Sequence, residues 1–135
     1  MTESSREART ISVTIARPPN AVYDYLADPA LIPQWSYFTA IERAADGRWT
    51  ITGPEGETAT MTFAPPNGFG VADQNVEVAP GQWVHVPLRV VPNGAGSEVL
   101  FTAFRQPHYS DDDFDADVAL VRTDLARLKQ ILEAD

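Results

Sequence analysis

"VYDYLADPALIPQW", residues 22–35, opens as an amphipathic helix, meets a proline at Pro29, resumes, meets another at Pro33 and ends on a tryptophan. Val22, Tyr25 and Leu26 fall at helical spacing, the pattern that gives a helix one apolar face. A proline ring drives the residue before it out of the helical region, so Asp28 ends the first piece. Pro33 limits the second, and Trp35 leads into the next element as an anchor. Upstream, Pro18 and Pro19 stop whatever precedes the stretch, and Asn20 is placed to cap the helix by accepting an orphan first-turn amide. The stretch therefore predicts two short helices in immediate succession.

On its N-terminal side, "TISVTIA" (10–16) alternates strictly, with Ile11, Val13 and Ile15 on one face and Thr10, Ser12 and Thr14 on the other. That is the signature of a half-buried strand. On its C-terminal side the period stays at two. "YFTAIERAA" (37–45) runs to Asp46-Gly47, a hairpin turn signal. "RWTIT" (48–52), "TATMTFA" (58–64), "FGVADQNVEV" (69–78), "QWVHVPLRVV" (82–91) and "SEVLFTAF" (97–104) follow, separated by short turns rich in glycine and proline. Six consecutive strands joined this tightly make an antiparallel meander.

The final segment changes period again. Phe114, Val118, Val121, Leu125, Leu128 and Leu132 form one stripe at spacings of three and four, as a core-facing helix requires. Ser110 with Asp113 resembles a capping box, and the aspartates at 111, 112, 113, 115 and 117 suit the positive end of a helix dipole. A helix of ~25 residues would be roughly 37 Å long. The threonine-rich strand faces imply a sheet with one wet and one covered face, and this helix is the one large element able to cover it. A seven-stranded sheet is too wide for one helix to fill. A space must remain between them, with the two short helices plugging the open end.

Composition narrows the function. The 135 residues predict one domain over residues 9–135, preceded by a flexible lead-in over 1–8. There is no cysteine, which excludes disulfides, thiolate metal sites and cysteine nucleophiles. No apolar run approaches the ~20 residues of a membrane span, and the polar first ten residues do not read as a signal peptide; the expected location is cytoplasmic. A net charge of −9 argues against nucleic acid and anionic membranes as partners. His85 and His108 are the only histidines, and their setting does not make a metal site. No HExxH, phosphate-binding glycine loop or GxSxG is present. Neither a metal nor a cofactor is expected.

The order of strand, two short helices, meander and long helix resembles the START-like or Bet v 1-like helix-grip fold. "ISVTIARPPNAVYDYLADPALIPQW" (11–35) resembles the opening of the SRPBCC superfamily, in particular its polyketide cyclase/dehydrase-like branch. "HVPLRVVPNGAGSEVLFTAFRQP" (85–107) before an acidic helix start is similar to bacterial members without an assigned function. The resemblance implies an α+β fold in which a curved seven-stranded antiparallel sheet wraps a long C-terminal helix around a deep, mostly apolar cavity. It also implies a small hydrophobic or amphipathic ligand. Three roles follow from it: a carrier or sensor; a cyclase, aromatase or dehydratase; and a chaperone-linked protein-interaction module. No catalytic motif is common to the group, so whether the chain is an enzyme stays open, as does a monomeric or homodimeric state.

Candidate site residues come from the inner faces. Trp35, Tyr37, Trp49, Met61, Phe63 and Phe101 either line a cavity or fill the core. Val118 and Val121 from the helix and Tyr109 from the loop before it join them. Gln74 is a lone polar group on the inward face of 69–78, opposite the Asp73, Asn75 and Glu77 face. A buried glutamine needs a hydrogen-bond partner, from the protein or from a ligand. His85 and Arg89 are the catalytic candidates, as a general acid or base and as an oxyanion holder. Simple burial turns the face of Val84, Val86, Leu88 and Val90 inward and leaves both outside. The opposite register, or a bulge near Pro87, would bring them in.

Overall fold

The computed structural model describes residues 4–134. Strand β1 (Ala8–Ile15) is followed by helix α1 (Pro19–Leu26), a 3-10 turn (Pro29–Leu31) and the single-turn α2 (Ile32–Trp35). Seven strands come next: β2 (Ala40–Arg43), β3 (Trp49–Thr52), β4 (Thr58–Phe63), β5 (Gln74–Ala79), β6 (Gln82–Val86), β7 (Leu88–Asn93) and β8 (Gly96–Phe104). Helix α3 (Asp111–Glu133) closes the chain. The architecture is the expected α+β helix grip, with one strand more than the sequence predicts.

The extra strand comes from Pro87, which divides 82–91 into β6 and β7. Proline has no N–H to give to a ladder, and the next amide, Leu88, turns aside to the Asp73 carboxylate at 2.9 Å. β6 therefore pairs with β5 and continues the ladder β2-β3-β4-β5-β6, whereas β7 pairs with β8 and forms β1-β8-β7. The two sheets remain stitched. Residues 69–73, expected as the start of β5, instead leave the ladder and bridge β7 through Val71 and Arg89. Gly70 makes that approach feasible. Its φ is +72°, its carbonyl accepts from Val90 N at 2.9 Å, and a Cβ there would lie 2.2 Å from Val90 O.

The short helices form for reasons close to those expected, with two differences. Asp28 is extended (φ −88°, ψ 108°), as a residue before proline should be, and its side chain accepts from Ala30 N at 3.0 Å. However, Pro33 lies in the first turn of α2 instead of ending it, a place where a missing N–H costs nothing. Asn20 likewise lies inside α1, whose N-cap is Pro18. Val22, Leu26, Ile32 and Trp35 are all buried, so the pieces plug the sheet's open end through their apolar sides.

The Ser110–Asp113 capping box forms in both directions, with bonds of 3.1 and 3.0 Å. All six residues of the α3 stripe are buried. They face Ile11, Ile15, Leu88, Val90 and Val99, which belong to the same core. Of the lead-in, Arg6 Nη1 donates to Gln106 Oε1 at 2.7 Å and Glu7 O accepts from Arg105 N at 2.8 Å; residues 1–3 lie outside the described residues.

Candidate functional site

Helix α3 lies along β1 and β8 and against α2, so β4, β5 and β6 face it across open space. The result is a cavity of about 570 Å³. The β-sheet side is supplied by Met61, Gln74, Val76, Val84 and Val86, all on one face by strand register. Trp35 and Tyr37 close one end, Phe101 and Ala103 form the floor, and Tyr109 and Val121 come from the loop and helix. The exposed side chains of Val78 and Leu120 also border it. Beyond the Thr102 N–Pro87 O bond of 3.0 Å, β6 and β8 belong to different sheets. Thr102, Phe104 and His85 border the cavity along that seam.

Of the expected ligand-binding residues, the structure brings together Trp35, Tyr37, Met61, Gln74, Phe101, Tyr109 and Val121. Three lie elsewhere. Trp49 and Phe63 face inward but stack edge to face, at 6.4 Å and 82°, in a separate cleft under α1 with Tyr23, Ala27 and Pro29. Val118 is buried in the core and does not reach the cavity. Alternation along a strand or helix gives the face, but not the position along a curved sheet whose two ends are covered by different elements.

Gln74 is 7% exposed, and among the described residues its amide has no hydrogen-bond partner. It points from β5 into the cavity. Among the described residues, Trp35 Nε1 is the one side-chain polar atom buried without a partner. Burial without a partner costs the Trp35 indole on the order of 1–3 kcal/mol; the Gln74 amide instead opens onto the cavity, where it is free to bond a polar ligand atom.

Both catalytic candidates are occupied by neighbouring side chains, Arg89 on the outer face and His85 at the cavity seam. Arg89 clasps Asp73 with two bonds, Nε to Oδ1 at 3.0 Å and Nη2 to Oδ2 at 2.8 Å, and does not border the cavity. His85 Nδ1 lies 2.9 Å from Asn75 Oδ1 and Nε2 lies 3.4 Å from Asp73 Oδ2. Both side chains are half exposed. The Arg89 hydrogen bonds hold the Asp73 carboxyl below the usual carboxylate range, against the opposing effect of burial and with help from the Leu88 amide. This cluster fastens the Pro87 kink. The break at Pro87 leaves the alternation in phase: Leu88 and Val90 are buried and Val84 and Val86 half-buried, while His85, Arg89 and Val91 are exposed.

Two acidic residues that the sequence reading did not single out for the site also border the cavity, Asp117 and Asp124 of α3. Burial raises the pKa of both. Asp124 is pushed up to about 6, opposed by a hydrogen bond from the Tyr37 backbone and by Arg127. Tyr109 is raised by burial first, then by the charges of Asp117 and Asp113. The signal was present in the sequence: Asp117, Leu120 and Asp124 recur at the same three-and-four spacing as the apolar stripe, one column over. Among the described residues no cluster of histidine and carboxylate side chains has metal-binding geometry.

Solved structures match this arrangement over almost its full length. The protein XoxI from Bacillus cereus superposes with a TM-score of 0.78 at 18% identity, covering 93% of this chain and 94% of that one. Ara h 8.0201 gives 0.71 at 15% identity, covering 96% and 99%. A START superfamily protein from Mycobacterium smegmatis gives 0.69 at 12%, covering 93% and 97%. The chain has the START/Bet v 1-like helix-grip fold. At these identities the helix-grip likeness speaks for the fold alone. No protein-family model and no curated protein sequence matches the chain.

Proposed function

We propose that this helix-grip protein binds one small amphipathic molecule between α3 and β4–β6 and acts as a carrier or sensor, in the cytoplasm, as a monomer or homodimer. The observation that carries the reading is the Gln74 side chain, without a hydrogen-bond partner among the described residues, opening onto a largely apolar cavity of about 570 Å³. A volume of that order lies within the usual range for small-molecule sites, which pair apolar walls with a few placed polar groups. The enzymatic reading through His85 and Arg89 loses support, since Arg89 lies off the cavity in its pair with Asp73 and His85, at the cavity seam, has its ring engaged by Asn75 and Asp73. A protein-interaction module would be expected to have a filled interior. The amphipathic-ligand reading is tested by native mass spectrometry of protein purified from its own host, with Ala103→Phe as control. A bound species of defined mass, reduced in the Ala103→Phe variant whose larger ring fills the floor, supports it. No bound species and no thermal shift across a lipid and polyketide library would sink it.

A further inference from the structure

The cavity reading leaves two carboxylates unexplained. Asp117 and Asp124 stand on α3 seven positions apart, about 10 Å along the axis at 1.5 Å per residue. Leu120 and Val121 lie between them, and all four border the cavity. Among the described residues neither carboxylate makes a salt bridge. The charged and titratable groups around them are Arg127 on the same helix, Tyr37 after α2, and His108 and Tyr109 in the loop before α3. Arg127 uses one guanidinium bond on Ser36 O at 3.2 Å. The facing strands contribute Met61, Gln74, Val76, Val84 and Val86, none of them charged, with His85 at the seam.

We propose that the ligand is a cationic amphiphile: an apolar body seated against β4–β6, a protonated amine placed at Asp117 and Asp124, and a neutral polar group that meets the Gln74 amide. This rests on the cavity-binding reading and specifies its ligand class. Three independent features agree on it. The acids face a low-dielectric space with no protein cation in salt-bridge range, where an ammonium ion is the natural partner. Gln74, more than nine-tenths buried and unpartnered, points into the same space and itself calls for a ligand. The chain's net charge of −9 draws cations toward the mouth and repels carboxylates. The raised pKa of Asp124 reflects holding that carboxylate without its partner.

The test uses three probes with one apolar body, decylamine, decanol and decanoate, measured below their aggregation limits by quenching of tryptophan fluorescence and by calorimetry at pH 7.5. Decylamine is expected to bind at least about tenfold more tightly than decanol, with decanoate weakest; one decade corresponds to about 1.4 kcal/mol. The double variant Asp117→Asn with Asp124→Asn should bring amine and alcohol within about twofold of each other. Asp112→Asn, an exposed first-turn residue away from the cavity, should keep the full preference, which separates a local effect from net charge. The amine preference should shrink as pH falls below about 6, where Asp124 takes up its proton. Equal binding of amine and alcohol by the unaltered protein overturns the proposal while the cavity-binding reading stands, as does a preference that survives the double variant. If none of the probes binds, and none displaces a neutral dye, the cavity-binding reading fails as well.

Discussion

Asp124→Asn should make the protein more stable at neutral pH. Burial pushes this carboxyl from its reference value of 3.8 up to about 6, so the folded state holds the proton more tightly than the unfolded chain does. Between those two values the folded state binds more protons, and stability must fall as pH rises. The penalty is absent below about pH 3.8 and complete above about 6. A shift of about two units is worth at most about 3 kcal/mol. Asp124 is only partly buried, and solvent screening lowers the expected penalty to about 1–2 kcal/mol. Asparagine removes the charge, and its carbonyl can still accept from the Tyr37 backbone. Urea unfolding at pH 7.5 should therefore show Asp124→Asn about 1–2 kcal/mol more stable, or about 4–8 °C higher in Tm for a chain of this size. At pH 4.0 the two proteins should nearly coincide. A variant that is less stable at pH 7.5, or a gap of the same size at both pH values, would refute the reasoning. A residue that weakens the empty protein and is nevertheless placed in its cavity fits the usual trade between stability and function.

Other outcomes follow from the kink and the caps. Asp73→Ala should cost about 2–3 kcal/mol by urea unfolding, because it leaves the Leu88 amide buried without a partner and releases Arg89; a loss below about 1 kcal/mol would mean that the kink is held by something else. Since the Asp73 carboxyl is held low, chiefly by Arg89, its contribution is present above the usual carboxylate range and is lost as pH falls through its folded value; in Asp73→Ala that acid-side loss should be smaller. Gly70→Ala should cost more than about 2 kcal/mol in chemical denaturation, combining a positive φ with a collision against Val90 O. Ser110→Ala should lower stability by about 1 kcal/mol and speed amide exchange in the first turn of α3 while leaving the last turns unchanged.

The sequence made the scaffold readable because the scaffold's signals are local. The α3 stripe, the Ser110–Asp113 box and the Asp28-Pro29 break each depend on neighbours within a few positions, and the described chain contains all three. The kink at Pro87 was visible only as a proline inside an apolar run. Its partner, Asp73, lies fourteen positions upstream, and nothing local announces that its carboxylate receives the displaced amide. The candidate site divided in the same way. Gln74 stood out because a polar residue on an inward face is conspicuous. Trp49 and Phe63 share that face yet serve another cleft, since their depth along the sheet depends on where α1 and α3 come to rest. Asp117 was masked by the acidic run whose helix-dipole role is real for its first members.

One further feature bears on how the molecule behaves in company. Among the described residues, strand β1 has a strand neighbour only on its β8 side, and an open strand edge invites another chain to add to it. Here the last turns of α3 reach over: Lys129 Nζ donates to Thr14 O at 2.6 Å, and Glu133 Oε2 accepts from Ala16 N at 2.8 Å. At the outer limit of the second sheet, β2 offers only four residues, Ala40–Arg43. A concentrated solution of this protein thus presents one strand margin whose main-chain groups are partly claimed by lysine and glutamate and another too short to template growth. Strand-to-strand polymerisation is disfavoured at both.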